Sequence, residues 1–162
     1  DAATKMERMR AQGYNVDQPI YRGDEEFIRH YDLGRLLDKA GLHFDKAREG
    51  GEHYGDHVGK FYVRGPQKEV HIPHSGDAYF DAKEAAARDA ASGGFTGMNV
   101  SIPGAKGADY FESVVFDPKN IRHENAAFDP AKIGVNDVLA SHGVPIGFGA
   151  AALLGANSRT ED

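Results

Sequence analysis

Apolar side chains near the start of the chain recur at the spacing of an amphipathic helix. Ala3, Met6 and Met9 would fall on one helical face. Gly13 follows as a stop signal, because glycine is the residue that most readily ends a helix. The pattern predicts a helix over residues 3–12.

Two further segments show the same periodicity. Asp24 is a favoured N-cap residue, and apolar positions from Phe27 to Ala40 lie at helical spacing before Gly41. Residues 77–92 are rich in alanine, begin with Asp77 as a candidate cap and are followed by two glycines. We therefore predict helices from residue 24 to residue 40 and over 77–92, with a weak helix within 45–55.

The remaining apolar runs are short and typical of strands. They lie between the predicted helices, and Pro66 marks a turn between two of them. They cover residues 19–23, 42–44, 59–65, 68–72, 95–102 and 112–117. Because they follow one another too closely for repeated βαβ units, the pattern favours an α+β fold with a mixed or antiparallel sheet.

The two ends of the sequence differ from the middle. The chain begins at Asp1, which indicates a piece of a longer protein, and no basic stretch with an apolar core opens it, so we expect no secretory leader. Residues 144–156 form an apolar run of 13 with three glycines and a proline, which is short for a membrane-spanning helix. We expect a domain over 1–135 and a tail over 136–162. We expect the run at 144–156 to be a docked or frayed tail, and the alternative is the start of a membrane-active or neighbouring segment in a longer polypeptide.

Composition narrows the chemistry. The 162 residues carry a formal charge of −6, which argues against a dedicated nucleic-acid binder. Hydrophobic residues at 40% and charged residues at 27% are typical of one globular domain and not of disorder. The absence of cysteine excludes disulfides, thiolate nucleophiles and cysteine-based zinc sites.

Common short motifs give little. The sequence has no GxxxxGK[ST], GxGxxG, GxSxG or HExxH pattern. His53 and His57 are four residues apart, but a metal needs three convergent ligands, so surface histidines are expected and no metal. The tripeptide FDP occurs at 116–118 and 128–130, which Asp-Pro turn chemistry explains better than a repeat.

Three segments in order along the chain resemble the ADP-ribosyltransferase superfamily. They are PIYRG at 19–23, GLHFDKAREGGEHYG at 41–55 and FESVVFDPKNIR at 111–122. The diphtheria-toxin and poly(ADP-ribose) polymerase branch has an aromatic-His-Gly strand, a Gly-x-aromatic-Phe segment followed by a tyrosine, and a Glu leading an apolar strand. Arg22 stands where that branch has histidine, as in the arginine-type toxins, whose Ser-Thr-Ser motif is missing here.

The flanks are most similar to transferase domains within polyvalent proteins of bacteriophages and mobile elements. GYNVDQPIYRG at 13–23 and VVFDPKNIRHENAAFDP at 114–130 fit the two ends of that pattern. The resemblance spans roughly residues 10 to 130. It implies split mixed or antiparallel sheets with flanking helices that enclose a cleft for NAD.

The resemblance also implies roles for two residues in cleavage of the nicotinamide–ribose bond. Glu112 would stabilise the positive charge that develops on the ribose, accept a hydrogen bond from the 2′-hydroxyl and orient the nucleophile. Tyr54 would stack on the nicotinamide ring. The alternatives are a solvated carboxylate at a strand end and a tyrosine that packs in the core.

Four more positions follow from the same resemblance. Tyr21 or His43 would wall the other side of the nicotinamide, with core packing as the alternative. Gly23 would offer its backbone to the carboxamide, or simply end a strand. Arg22 would act with Glu112 and bind the adenosine ribose or a phosphate, or else form a structural ion pair. Residues 22, 54 and 112 are expected to converge on one nucleotide-sized pocket.

The acceptor and the setting are less defined. Residues 103–111, just before Glu112, lie where related enzymes select an acceptor. By analogy we expect NAD as a substrate and transfer to a protein rather than a nucleic acid, by a monomeric toxin or effector domain. That domain would act in the cytoplasm of a bacterial host or be delivered into a target cell. We expect no membrane among its binding partners. An NAD glycohydrolase, a non-catalytic NAD or ADP-ribose binding module and a structural domain of a polyprotein are the alternatives.

Overall fold

A computed structural model describes residues 1–35, 39–104 and 109–140. It contains three α-helices, seven strands and three 3₁₀ turns within these residues. The helices are α1 (Ala2–Ala11), α2 (Arg48–Gly51) and α3 (Asp77–Ser92). The strands are β1 (Ile20–Asp24), β2 (Leu42–Asp45), β3 (His57–Val63), β4 (Gln67–His71), β5 (Gly97–Ile102), β6 (Tyr110–Val115) and β7 (Ile121–His123). The 3₁₀ turns are Leu33–Arg35, Pro118–Asn120 and Pro130–Lys132.

The strands form one mixed sheet in the order β4-β5-β6-β2-β1-β3-β7. The β4–β5 pair is parallel, and every other neighbouring pair is antiparallel. β1 and β2 pair at one position, Tyr21 with Asp45, whereas β1 and β3 pair at five. The predicted α+β class with a mixed sheet is confirmed.

Each face of the sheet carries its own hydrophobic core, because side chains alternate between faces along a strand. On one face α3 packs over β5 and β6, and Met98, Val100 and Val114 are fully buried. On the other face Phe44 and Phe61 form the centre of a second core, which the segment after β1 covers. The charged residues of β1, β2 and β6 are therefore divided between two separate environments.

The predicted helix after residue 24 is wrong for the described residues. Asp24 ends strand β1, and residues 25–32 run without regular structure before the 3₁₀ turn at Leu33–Arg35. The Asp24 carboxylate accepts hydrogen bonds from Arg22 and from the Tyr31 hydroxyl, so it does not cap a helix. The apolar side chains that suggested a helix, among them Phe27 and Ile28, pack on the core from an irregular segment. Residues 36–38 lie outside the described part.

The other helices are close to expectation. α1 spans Ala2–Ala11, and Gly13 beyond it has a positive φ of 83°. α3 begins at Asp77, but Gly76 is its N-cap residue. Within 45–55 only Arg48–Gly51 is helical.

Both FDP sequences form the same local structure. The Asp117 side chain accepts a hydrogen bond from the Lys119 N–H, and the Asp129 side chain accepts one from the Ala131 N–H. A 3₁₀ turn follows each aspartate, with proline in its first turn. Asp-Pro turn chemistry thus accounts for both copies.

Residues 136–140, which the sequence assigned to a tail, pack against the domain. Val138 is completely buried in the same core as Phe44, and its N–H donates to the Arg29 carbonyl. Arg29 also binds the Asp137 carboxylate at 2.7 Å. The apolar run at 144–156 lies outside the described residues. In the part of the chain that the structure describes, no helix is both long and apolar enough to cross a membrane.

Candidate active site

The Glu112 carboxylate lies on the same face of the sheet as α3. Glu112 sits in β6 directly opposite Asp45 of β2 and Val100 of β5, and directly opposed residues share a face. Only 6% of its side chain is exposed. A buried charge at this position needs partners, and the neighbouring elements supply three.

His43 is the first partner. It lies in β2 opposite Val114, on the same face as Glu112, and its Nε2 is 2.6 Å from Glu112 Oε2. Tyr54 approaches the His43 ring edge-on, with 5.8 Å between the ring centroids. The structure therefore brings together three of the residues that the sequence predicted.

Tyr79 and Lys83, one turn apart on α3, are the other two partners. The Tyr79 hydroxyl donates to Glu112 Oε1, and Lys83 Nζ lies 3.0 Å from the same oxygen. The Lys83 side chain is 3% exposed, and its ammonium lies 5.6 Å from the centre of the Tyr79 ring. Neither residue was among the site residues that the sequence predicted.

These donors keep Glu112 ionised. Burial by itself raises the pKa of a carboxyl group, but the hydrogen bonds from His43 and Tyr79 and the charge of Lys83 outweigh it. The pKa of Glu112 is lowered to about 2. The group is therefore a carboxylate at any physiological pH.

A second carboxylate lies beside the first. Asp45 is 2% exposed, and its Oδ1 accepts a hydrogen bond from the Tyr110 hydroxyl. Burial, this hydrogen bond and the charge of Asp45 raise the pKa of Tyr110 above its usual range. The pKa of Tyr54 is also raised, by burial and by the charges of Asp45 and Glu112. Both phenols are neutral at physiological pH.

The cluster forms one wall of an open pocket of about 350 Å³. Aromatic rings make up much of its lining, and three of them are substantially exposed, Tyr54 at 59%, Phe80 at 54% and Tyr110 at 42%. The lining residues are His43, Tyr54, Tyr79, Phe80, Lys83, Ile102, Tyr110 and Glu112. A pocket with a buried carboxylate and exposed rings suits a flat or cationic ligand.

Arg22 lies elsewhere. It alternates with Tyr21 along β1, so its side chain points to the face opposite Glu112. There its Nε is 3.1 Å from Asp24 Oδ1, and its guanidinium lies 5.4 Å from the Tyr31 ring centre. Arg22 lines a separate pocket of about 380 Å³. The expected convergence of residues 22, 54 and 112 on one pocket is therefore wrong for Arg22, whose binding role toward NAD stays a prediction.

Gly23 and Tyr21 occupy the strand on either side of Arg22. A Cβ atom at Gly23 would lie 1.9 Å from the Gly51 carbonyl oxygen, so the close crossing of α2 over β1 already requires glycine there. Tyr21 shares its face and its row with Asp45, and Asp45 with Glu112. Tyr21 and Glu112 are thus two strands apart, about 10 Å by ordinary strand spacing. Neither residue's predicted contact with NAD is tested by this placement.

A metal site is not evident in the described residues. No group of three or more histidine, aspartate or glutamate side chains there is arranged to hold a metal ion.

Comparisons with known proteins add little to this geometry. No family model matches the chain, and no curated protein matches it. Among solved structures, the chain is similar to one described as an anti-CRISPR protein, with a TM-score of 0.44 and 10% sequence identity. That similarity covers 65% of this chain and 93% of the other. At this level it carries no conclusion about activity.

One sequence signal could have found the α3 partners. Tyr79, Lys83, Ala87 and Ala90 follow one another at intervals of four, four and three, which is one stripe of a helix. Ala87 and Ala90 are buried, so the same stripe carries Lys83 into the interior. A lysine within an apolar stripe predicts a buried counter-charge, because an unpaired ammonium there is costly.

Proposed function

We propose that this chain is an NAD-dependent ADP-ribosyltransferase in which Glu112 is the catalytic carboxylate. The observation that carries the proposal is the buried, ionised Glu112 in a pocket that also presents His43 and the exposed ring of Tyr54. The reaction breaks the bond between C1′ of the ribose and the nicotinamide nitrogen. Nicotinamide leaves with the bonding electrons, and C1′ bonds to the acceptor, which releases a proton.

The charges of the site suit this reaction. Two carboxylates, Glu112 and Asp45, lie side by side with one lysine, Lys83, so carboxylates outnumber lysines at the site. Positive charge develops on the ribose as the bond breaks, and a fixed negative charge beside it stabilises the transition state more than the ground state. Glu112 held by three donors needs no reorganisation to provide that charge.

The aromatic lining suits the leaving group. Nicotinamide in NAD is a flat, electron-poor cation, and such rings bind to the faces of aromatic side chains. Tyr54 is neutral and 59% exposed at the pocket, so its ring is accessible for stacking. His43 beside it is the second candidate wall.

The order of strands also supports the proposal. The three segments that resemble the superfamily lie on β1, β2 and β6, which are far apart in sequence and adjacent in the sheet. His43 and Glu112, from two of those segments, are in direct contact. Packing of the hydrophobic core alone would not require His43 and Glu112, the predicted site residues of two segments, to be in contact.

One observation favours a second candidate, a module that binds NAD or ADP-ribose without cleaving it. Both oxygens of Glu112 already contact side chains of this chain, and Arg22 faces away from the carboxylate. A carboxylate with these partners could serve binding alone. Catalysis and binding differ in one measurable respect, the release of nicotinamide.

The test is chromatographic measurement of nicotinamide released from NAD by the wild type and by Glu112→Gln. We expect the variant to lose roughly a hundredfold to a thousandfold in rate, the effect of removing one preorganised electrostatic group. Glu52→Gln is a matched control, because Glu52 is an exposed carboxylate two residues before Tyr54 in sequence that pairs with Arg48. Equal background release by the wild type and Glu112→Gln would leave only binding.

A second measurement identifies the acceptor class, and a third checks folding. With labelled NAD and a bacterial lysate, label on protein supports transfer, whereas free ADP-ribose indicates hydrolysis. Glu112→Gln leaves Lys83 as a buried charge with fewer partners, so its folding should be checked by circular dichroism. If it unfolds, the double variant Glu112→Gln/Lys83→Met removes both charges and allows the same comparison.

A further inference from the structure

Helix α3 contacts Glu112 through two side chains that no motif assigns. Tyr79 and Lys83 both bind Oε1, while His43 binds Oε2. A carboxylate offers about four acceptor sites, two on each oxygen. Among the described residues, the two donors from α3 fill the sites on Oε1, and His43 takes one of the two on Oε2.

We propose that Tyr79 and Lys83 are positioning residues that fix the Glu112 carboxylate so that a ligand hydroxyl binds through Oε2. The inference rests on the proposed function, because it names how the same carboxylate is presented to the ribose. It adds two residues from an element outside the three segments that resemble the superfamily.

Burial makes this arrangement stiff. The Lys83 side chain is 3% exposed, and the stripe that carries it continues into buried Ala87 and Ala90. A buried ammonium is stable only with a counter-charge at short distance. If Glu112 rotated away, it would leave Lys83 without that counter-charge, so the two side chains hold each other in one orientation.

Several titratable groups lie around Glu112, and three of them, His43, Tyr79 and Lys83, lower its pKa. The surrounding groups are His43 and Asp45 of β2, Tyr79 and Lys83 of α3, Tyr110 of β6, and Tyr54 of the segment after α2. Lys83 favours the charged form of Glu112 by its charge, and Tyr79 does so by its hydrogen bond. Removing either one therefore raises the pKa of Glu112.

The experiment compares the wild type with Lys83→Met and Tyr79→Phe. Methionine keeps the unbranched, apolar length of lysine without its charge, and phenylalanine keeps the ring without the hydroxyl. Lys68→Met is the matched control, because Lys68 also pairs with a carboxylate of α3, Asp89, but at the surface. Thermal unfolding shows which variants are folded.

Two readouts separate positioning from structure. The first is the titration of Glu112 by carbon-13 NMR of its carboxyl group, which needs no substrate. We expect its pKa to rise by about one to three pH units in Lys83→Met and by less in Tyr79→Phe. The second is the rate of nicotinamide release, in which we expect kcat to fall about tenfold to a hundredfold while KM changes little.

The outcomes are distinct. A folded Lys83→Met whose Glu112 titrates as in the wild type overturns the proposal, and so does a shifted titration with an unchanged kcat. If Lys83→Met does not fold, an unchanged titration in Tyr79→Phe overturns it in the same way. If the pKa of Glu112 shifts in the variants but the wild type releases no nicotinamide, the positioning of the carboxylate by α3 is supported. The proposed function is then overturned.

Discussion

The two faces of the central sheet carry the same kinds of groups and treat them differently. On one face Glu112 meets Lys83 and Tyr79, and on the other Asp24 meets Arg22 and Tyr31. Each face thus has a carboxylate, a cation and a tyrosine hydroxyl beside a pocket. The pKa of Glu112 is lowered to about 2, whereas the pKa of Asp24 is raised.

The difference shows how partners compete with burial. For Asp24 burial is the largest effect, and the charge of Arg22 and the hydrogen bonds from Tyr31 and Arg22 do not cancel it. Burial is also the largest single effect on the pKa of Glu112, but there the hydrogen bonds from His43 and Tyr79 and the charge of Lys83 together outweigh it. Arg22 also donates to a second acceptor besides Asp24, because its Nη1 binds the His43 backbone carbonyl at 2.9 Å. The contacts of Arg22 therefore join it to Asp24 and to the backbone of β2, whereas the donors around Glu112 keep a buried carboxylate ionised.

The largest effect expected from this comparison is the loss of stability in Arg22→Met. The substitution removes the ion pair with Asp24 and the hydrogen bond to the His43 carbonyl, both partly buried. We expect the free energy of unfolding, measured in urea, to fall by about 2–3 kcal/mol. KM for NAD in the folded variant should stay within about threefold, because Arg22 is on the face opposite Glu112.

Arg48→Met is the control for that experiment, because Arg48 lines the same pocket as Arg22 but is 58% exposed and pairs with Glu52 at the surface. It should change stability by less than about 0.5 kcal/mol. A tenfold rise in KM for Arg22→Met with unchanged stability would instead support the predicted binding role of Arg22.

A smaller effect is expected for Tyr54→Ala, on the other face. Tyr54 is 59% exposed, so its removal should leave unfolding nearly unchanged. Loss of ring stacking should weaken binding of a nicotinamide-like inhibitor about threefold to tenfold, measured by calorimetry.

Tyr31→Phe gives the opposite pattern and sharpens the contrast. Tyr31 is buried, and its hydroxyl donates to Asp24, so stability should fall by about 1 kcal/mol while inhibitor affinity is retained. Binding that survives Tyr54→Ala would remove Tyr54 from the proposed site.

The last expected effect is the pH dependence of stability that His123 confers. This residue lies opposite Phe61 on the Arg22 face, and burial lowers its pKa below 6.5. The unfolded chain therefore binds more protons between the two pKa values, and stability is lost as pH falls from about 6.5 through the folded-state pKa. Urea unfolding from pH 7 to 5 should show this decline, at most about 1.4 kcal/mol per pH unit.

His123→Asn should flatten that decline, because asparagine does not titrate and can still accept the hydrogen bond from the Asn125 N–H. His57→Asn, at an exposed position beside the same pocket, should keep it. A decline that persists unchanged in His123→Asn would assign it to another group. Glu112 titrates in a lower window, between about 2 and 4.5.

The sequence predicted local elements where local forces dominate. Gly13 ends α1 with a positive φ, and the alanine-rich segment forms α3 within one residue of expectation. The helix predicted after Asp24 failed because the Asp24 carboxylate accepts hydrogen bonds from Arg22, on the same strand, and from Tyr31, which is buried in the tertiary core. Capping preference is a weak force against two such bonds.

The candidate site was predictable in part for a similar reason. His43, Tyr54 and Glu112 were found because they lie in recognisable segments, and the structure places them in one pocket. The face to which Arg22 points depends on strand register, and a shift of one residue reverses it. No local sequence pattern determines to which of the two faces Arg22 points. Lys83 was missed because its partner is 29 residues away in sequence.

The single rung between β1 and β2 has a mechanical consequence. With one paired position, the sheet consists of two halves that meet at a narrow joint, and the Arg22 guanidinium spans that joint to the strand that carries His43. Arg22, which the sequence motif marks as a binding residue, can therefore act as a structural link between the two halves of the sheet. In this chain Arg22 binds the backbone carbonyl of His43, and the His43 side chain contacts Glu112. Movement of β1 relative to β2 would therefore also displace the Glu112 carboxylate.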